Sequence, residues 1–378
     1  PPADTGSEAQ GPVVPDRSLT APKASSELTV AEGFTLTIFR TGLNGPRGMA
    51  RRGDEVWVSE RGADRIIVLR DRNRDGAADQ HKVAVNNIPD VHNIEYFNGW
   101  FYFADIENVY RFRDDDNNLR PDAPPEAFIT GLPAGRVRHI TRTVKVNPVD
   151  GRLYVSIGSS CDVCEEDDPR RATIQVFNID GTGGEEFAGG LRNAVGYAFD
   201  EAGQLWTTNN GSDDLGPLLP PEGLWAADDG DFMGWPYAYN NNGVVVPHPT
   251  FGALRPDLVA ATELPLMEFE AHSAPLGITF WRGDAWGEEF EGDAFIAFHG
   301  SHTFTTQPNY VGYEVVHVDF ENGLPVSSAP VVTGFEPEPD EEEDEAIGRP
   351  VDVLQFGNAL LFTDDLRGRI YRLSRTGS

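Results

Sequence analysis

One phrase recurs along these 378 residues, and it leaves few folds open. In its first copy, Gly45 to Asp71, three short runs alternate apolar and polar residues, near Met49, from Glu55 to Ser59 and from Arg65 to Leu69. Gly and Asp turns part them, which is the signature of successive antiparallel strands. Later copies carry Val91-His92-Asn93-Ile94 into Trp100–Asp105, Arg138-His139-Ile140 into Gly151–Ser156, and Leu191-Arg192-Asn193 into Gly203–Thr208. The last two carry Leu276–Phe280 into Asp293–Phe298 and Gly348-Arg349-Pro350-Val351 into Ala359–Asp364. The openings at Arg47, His92, His139, Arg192, Leu276 and Arg349 lie 45, 47, 53, 84 and 73 residues apart. The shorter intervals hold one four-stranded blade each, and the longer two leave room for insertions. The expectation is an all-β chain, a six-bladed β-propeller.

In a propeller the first strand of each blade lines the central channel, so the residues that open the copies face one channel mouth. Arg47, His92, His139, Arg192 and Arg349 would then form a ring of bases and cations, and function is sought there. The propeller is expected over 29–378. Residues 1–28, rich in Pro, Ala, Ser, Asp and Glu and without periodicity, read as a flexible tether from a cleavage site or membrane anchor, or as an ordered arm. The start at Pro1 is read as processed or trimmed, which fits a periplasmic or secreted protein.

The formal charge of −31 argues against nucleic acid as a partner, since phosphate binding needs the opposite sign. Lysine is confined to Lys23, Lys82 and Lys145, with arginine supplying the other cations. Such a surface fits work in high salt, where self-repulsion is screened, and equally an acidic exported protein at ordinary salt. The almost continuously acidic run from Glu336 to Glu345 reads as a solvated loop or a docking site for a cation or partner. No apolar run approaches the ~20 residues of a spanning helix.

Cys161 and Cys164 are the only cysteines. A zinc site would need further ligands nearby and thioredoxin-like chemistry a strand-to-helix context, so a structural disulfide formed in an oxidising compartment is expected. Asp71, Asn73, Asp75 and Asp79 place oxygens at alternate positions around Gly76, as in the first half of a calcium loop, but Lys82 stands where a bidentate Glu belongs. A structural Ca²⁺ and a plain Asx-rich turn both fit. Asp114–Asn118 is a weaker echo that turn chemistry explains. His139 is either a packed histidine or a base facing the channel, and the Arg192-Asn193 pair either clamps an oxyanion or holds loop carbonyls. Gly234-Trp235-Pro236 is too rigid for a strand centre and forms either a tight turn or a display of backbone carbonyls for a hard cation.

Several motifs share one source: Arg138-His139, Ile157-Gly158-Ser159-Ser160-Cys161-Asp162-Val163-Cys164-Glu165, Gly190-Leu191-Arg192-Asn193, Pro220-Pro221-Glu222, Gly234-Trp235-Pro236, Ala274-Pro275-Leu276-Gly277, His299-Gly300-Ser301 and Gly348-Arg349-Pro350. In order and blade placement, from about residue 30 to 374, the chain resembles the soluble pyrroloquinoline-quinone (PQQ)-dependent sugar dehydrogenases, above all the sorbosone and aldose sugar dehydrogenases. The resemblance implies PQQ and Ca²⁺ as cofactors. It makes His139 the catalytic base, puts Arg192 and Asn193 on the quinone and Arg349 on a cofactor carboxylate, and gives a catalytic Ca²⁺ to the carbonyls of Gly234, Trp235 and Pro236. One stretch departs. After His-Gly-Ser the family continues with Trp-Asn-Arg or has a Lys nearby, whereas here Ser301 is followed by His302-Thr303-Phe304-Thr305-Thr306. A cation for a cofactor with three carboxylates is missing, and Arg47, His92 and His299 are the residues available to compensate.

The reading is a PQQ- and calcium-dependent dehydrogenase for an aldose or a related sugar, alcohol or aldehyde, passing electrons to an acceptor such as a cytochrome or quinone. A metal-dependent lactonase-type propeller and a non-catalytic ligand-binding propeller are the rivals.

Overall fold

Each copy of the phrase folds as one antiparallel sheet. The computed structural model describes residues 28–135, 138–302, 310–337 and 345–376, so most of the acidic run from Glu336 to Glu345 and all but the last residue of the expected tether lie outside the described residues. Six sheets stand around an axis, and their first strands, Pro46–Arg52, Ile94–Phe97, Val144–Val146, Tyr197–Phe199, Pro275–Phe280 and Pro350–Phe356, are innermost. The fold is all-β, a six-bladed propeller. Phe34–Arg40 closes the ring by pairing with Arg369–Arg375, with Leu36 opposite Leu373, so the sixth blade is built from both ends of the described chain. Thr29–Val30 adds a fifth strand to the neighbouring blade beside Leu324–Thr333.

The near-continuous burial of the strands has a simple cause. Successive side chains of a strand point to opposite faces, and both faces of a blade are covered by its neighbours. All of Glu55–Glu60 is buried. Trp57 enters the layer shared with Phe101 and Phe112 of the second blade, with ring centroids 4.0 Å and 5.8 Å away. Val56 and Val58 point the other way, to Leu361 and Ile370 of the sixth. Truncating an aromatic in such a layer costs about 3–5 kcal/mol.

The inner strands meet closely. A Cβ on Gly196 would fall 1.6 Å from the Leu276 carbonyl oxygen, so only glycine lets the fourth blade touch the fifth there. Below the mouth, Val195, Leu276 and Val351 form a small apolar cluster. The long interval after Arg192 is an insertion between Glu222–Ala227 and Met267–Phe269. It adds Asp231–Phe232 in parallel to Glu185–Gly189 of the third blade, then a hairpin of Ala238–Asn241 with Val244–Pro247, and the short helix Pro256–Ala260. Among the described residues no helix is long and apolar enough to cross a membrane.

Candidate active site

In an antiparallel hairpin the start of one strand lies beside the end of the next, so each blade delivers two sets of residues to the same mouth. Pro46 faces Glu60, Pro275 faces Phe298 and Pro350 faces Asp364. A cavity of about 360 Å³ opens there, lined by Arg47, His139, Arg192, Asn193, His299 and Arg349 among the expected residues. His92 sits behind this wall, buried, with Nδ1 accepting from Arg47 Nε at 3.3 Å. Arg61 and Arg138 bring two further guanidinium groups to the lining, and His302 adds an imidazole to those of His139 and His299; residues 303–309, where the departure from the family continues, lie outside the described residues.

His139 is fixed from one side. Its Nδ1 lies 2.8 Å from Ser159 Oγ and 3.2 Å from the Ser159 carbonyl. Ser159 Oγ donates its own proton to the Cys161 carbonyl at 2.6 Å, so both partners of Nδ1 accept and the ring carries its proton there. Nε2 is the basic nitrogen. Burial, then the charges of Arg192 and Arg138, depress the imidazole pKa to about 3, and the ring is neutral near pH 7. Gly158 completes the fit, since a Cβ there would stand 2.6 Å from His139 Cβ and 2.8 Å from Asn193 Oδ1.

Arg192 is buried and held by carboxylates. Nη2 lies 2.5 Å from Asp162 Oδ1 and 3.3 Å from Asp213 Oδ2, Nε donates to the Asp162 carbonyl at 3.1 Å, and Nη1 to the Asn210 carbonyl at 3.2 Å. Asp162 stands between the two cysteines, which form the expected disulfide with Cα atoms 6.2 Å apart. Trp235 Nε1 donates to the same Asp162 carbonyl at 3.0 Å. Gly234-Trp235-Pro236 thus braces the disulfide loop from behind. None of the three lines the cavity, and the Gly234 carbonyl accepts the amides of Tyr237 and Ala238, each at 2.8 Å.

On the opposite wall Asp365 links Arg47 to His299, 2.6 Å from Arg47 Nη1 and 3.1 Å from His299 Nε2. Burial and then Arg349 lower the His299 pKa to about 4, and burial and the neighbouring guanidiniums hold His92 neutral as well. Arg349 spans the His299 and Gly300 carbonyls at 3.0 and 2.6 Å.

Sequence reasoning gave no site role to a third wall, Asn210, Gly211, Asp213, Glu222 and His272, although it quoted Glu222 in the Pro220-Pro221-Glu222 motif. Asn210 Oδ1 is buried without a hydrogen-bond partner. Glu222 accepts the Gly211 amide at 2.7 Å, and burial lifts its pKa to about 7. By contrast, the Asp71, Asn73, Asp75 and Asp79 side chains turn onto their own loop: Asp71 accepts from Asp75 and Gly76, Asn73 from Asp75, Asp75 from Ala77 and Asp79 from Arg72. Asp114 caps its turn likewise through the amides of Asn118 and Leu119.

A TrAA12-like family profile matches residues 28–218 and 259–376, which include every arginine of the cavity and the four-stranded core of every blade but the fourth, whose third strand, Glu222–Ala227, falls outside. The chain belongs to the TrAA12-like family. The unmatched interval between these segments holds that strand, with Glu222, and most of the insertion, with Gly234-Trp235-Pro236 and the extra hairpin. An uncharacterized protein of Borreliella burgdorferi is 25% identical over 372 residues, 94% of this chain and 93% of its own length. A pyrroloquinoline quinone-dependent pyranose dehydrogenase of Coprinopsis cinerea is 27% identical over 210 residues; that match spans 51% of this chain and only 28% of the fungal enzyme. Among solved structures, the holo PQQ domain of Coprinopsis cinerea pyranose dehydrogenase superposes with a TM-score of 0.78 at 21% identity over 94% of this chain and 98% of that one. The calcium structure of Trichoderma reesei family AA12 gives 0.76 at 21% identity over 94% and 99%. The PQQ-bound aldose sugar dehydrogenase of Streptomyces coelicolor gives 0.64 at 18% over 94% and 99%. These superpositions show that this chain shares the fold of those three structures.

Proposed function

We propose that this TrAA12-like chain is a PQQ- and Ca²⁺-dependent dehydrogenase that oxidises an aldose or a related sugar, alcohol or aldehyde and passes electrons to an acceptor such as a cytochrome or quinone. The observation that carries the reading is a neutral His139 presenting a basic Nε2 to a cavity walled by Arg47, Arg61, Arg138, Arg192 and Arg349. A volume of about 360 Å³ suits a small organic cofactor. Guanidinium groups match a planar tricarboxylate through paired hydrogen bonds, and two more of them line the cavity than the ring of openings supplies. The donors also fit a hard cation. Orphaned Asn210 Oδ1, with the Asp213 and Glu222 carboxylates on the same wall, offers the oxygen ligands Ca²⁺ requires, so this wall is preferred to the Gly234–Pro236 carbonyls.

When bound, the quinone would supply the two-electron acceptor and Ca²⁺ the Lewis acid that polarises it. The protein's part is positional and protolytic. Arg192, Asn193, Arg349 and Arg47 hold cofactor oxygens, and His139 Nε2 takes the proton of the substrate hydroxyl. The disulfide suits an exported protein, in keeping with a periplasmic or secreted site of action. A titration decides the matter. PQQ and Ca²⁺ are added to the apo-protein while cofactor absorbance and dye reduction are followed with a panel of aldoses; absence of both signals overturns the proposal. The carboxylate wall also favours, secondarily, a metal-dependent lactonase, which would hydrolyse lactones with Ca²⁺ alone and reduce no dye.

A further inference from the structure

We infer that Ser159 is a positioning residue that, held by the carbonyl of Cys161 within the disulfide-closed loop, keeps the His139 proton on Nδ1 and its basic Nε2 toward the cavity. The inference rests on the reading of His139 as the base.

The chain of contacts is continuous. The Cys161–Cys164 bond closes a loop of four residues that begins two residues after Ser159. The loop is anchored on several sides: the Ser159 amide donates to the Arg192 carbonyl at 2.8 Å, the Ser160 amide to Glu166 Oε1 at 2.6 Å, and the Asp213 amide to Asp162 Oδ1 at 3.1 Å. Arg192 and Trp235 both donate to the Asp162 carbonyl. These anchors fix where the Cys161 carbonyl points. That carbonyl takes the only proton of Ser159 Oγ, which leaves the hydroxyl an acceptor toward the ring. Ser159 is fully buried, so water does not compete for it.

The choice of a hydroxyl has a chemical consequence. A carboxylate in that place would also fix the tautomer, but its charge would stabilise the imidazolium and weaken the drive to release the proton onward. An acceptor serine fixes the tautomer without adding charge. Arg192, Arg138 and Asp213 are the charged groups that act on the ring, Asp162 pairs with both arginines, and Ser159 leaves their balance unaltered.

The test reads the tautomer directly on cofactor-free protein. With isotopically labelled histidine, long-range proton–nitrogen correlation spectra distinguish protonated from bare ring nitrogens, and the signals lost in His139→Gln assign the ring. Wild type is expected to show a protonated Nδ1 and a bare Nε2. Ser159→Ala should move the tautomer ratio toward Nε2–H by roughly fivefold, the worth of one neutral hydrogen bond, while Ser159→Thr, which keeps the hydroxyl, restores it. Reducing the disulfide with a phosphine should shift the ratio in the same direction. A wild-type ring protonated on Nε2, or an unchanged Ser159→Ala spectrum, overturns the inference; a shift in Ser159→Ala without one on reduction overturns the part given to the disulfide. Failure of the base assignment is separate, because it would show as normal turnover of His139→Gln in loaded enzyme with the tautomer result intact.

Discussion

Arg47 and Asp365 form an ion pair of 2.6 Å between the first and sixth blades. Burial opposes ionisation of Asp365, but His299 and Arg47 beside it outweigh burial and hold the carboxyl well below its usual range. A carboxylate with a depressed pKa stabilises the fold above the unfolded value of about 4 and loses that contribution as pH falls further. Asp365→Asn should therefore lower stability at pH 7 by roughly 2–5 kcal/mol, the cost of breaking a largely desolvated pair. Denaturant unfolding of both proteins checks it. The gap should narrow below about pH 4, and a gap that is absent at pH 7 or independent of pH refutes the assignment.

A second carboxyl behaves in the opposite way. Burial, then the charges of Glu336 and Glu270, raise Glu314 to about 7. A raised acid favours the folded state while protonated and opposes it as pH climbs from the unfolded value through 7. Glu314→Gln should match wild type near pH 5 and melt higher at pH 8. A variant that melts lower at pH 8 counts against this picture.

The charge of −31 predicts a response to salt. Lys145 is half-buried and paired with Glu95 at 3.2 Å, so among the described residues Lys82 is the one lysine left to soften the acidic surface. Screening should relieve the repulsion, and the melting temperature should rise from low to molar NaCl. A flat or falling series would mean that the surviving Arg–carboxylate pairs matter more than net repulsion.

The blades were legible because both faces of each strand are buried and the phrase around Arg47, His92, His139, Arg192, Leu276 and Arg349 repeats. The ring was legible for the same reason, since every opening leads an inner strand. What escaped notice follows the other arm of the hairpin. Arg61, Ser159, Asn210, His299 and Asp365 each sit just past the end of a second strand, and antiparallel pairing returns them to the same mouth. His299 drew attention through its His-Gly-Ser motif, and Ser159 was quoted within the Ile157–Glu165 motif without a role of its own. Reading the first two residues after each second strand would have found Ser159, Asn210 and Asp365. Asp213 and Glu222 gave no periodic signal, because a loop carries Asp213 inward and Glu222 opens a third strand.

The last prediction concerns His139 itself. Its Nδ1 is taken by Ser159, its Nε2 faces the cavity, and burial with the adjacent guanidiniums lowers its pKa to about 3. A base with that pKa stays unprotonated through the neutral range, so the acid limb of kcat/KM should show no His139 ionisation near the ordinary value of about 6.5. In PQQ- and Ca²⁺-loaded protein, His139→Ala should lower turnover by roughly 10² to 10⁴, the usual share of a positioned acid or base. Cofactor absorbance should still report binding, because Arg47, Arg192 and Arg349 remain in place. Normal turnover removes His139 from the mechanism. Loss of cofactor binding together with turnover would instead make it part of the cavity wall, with the proton passing to His272 or Glu222.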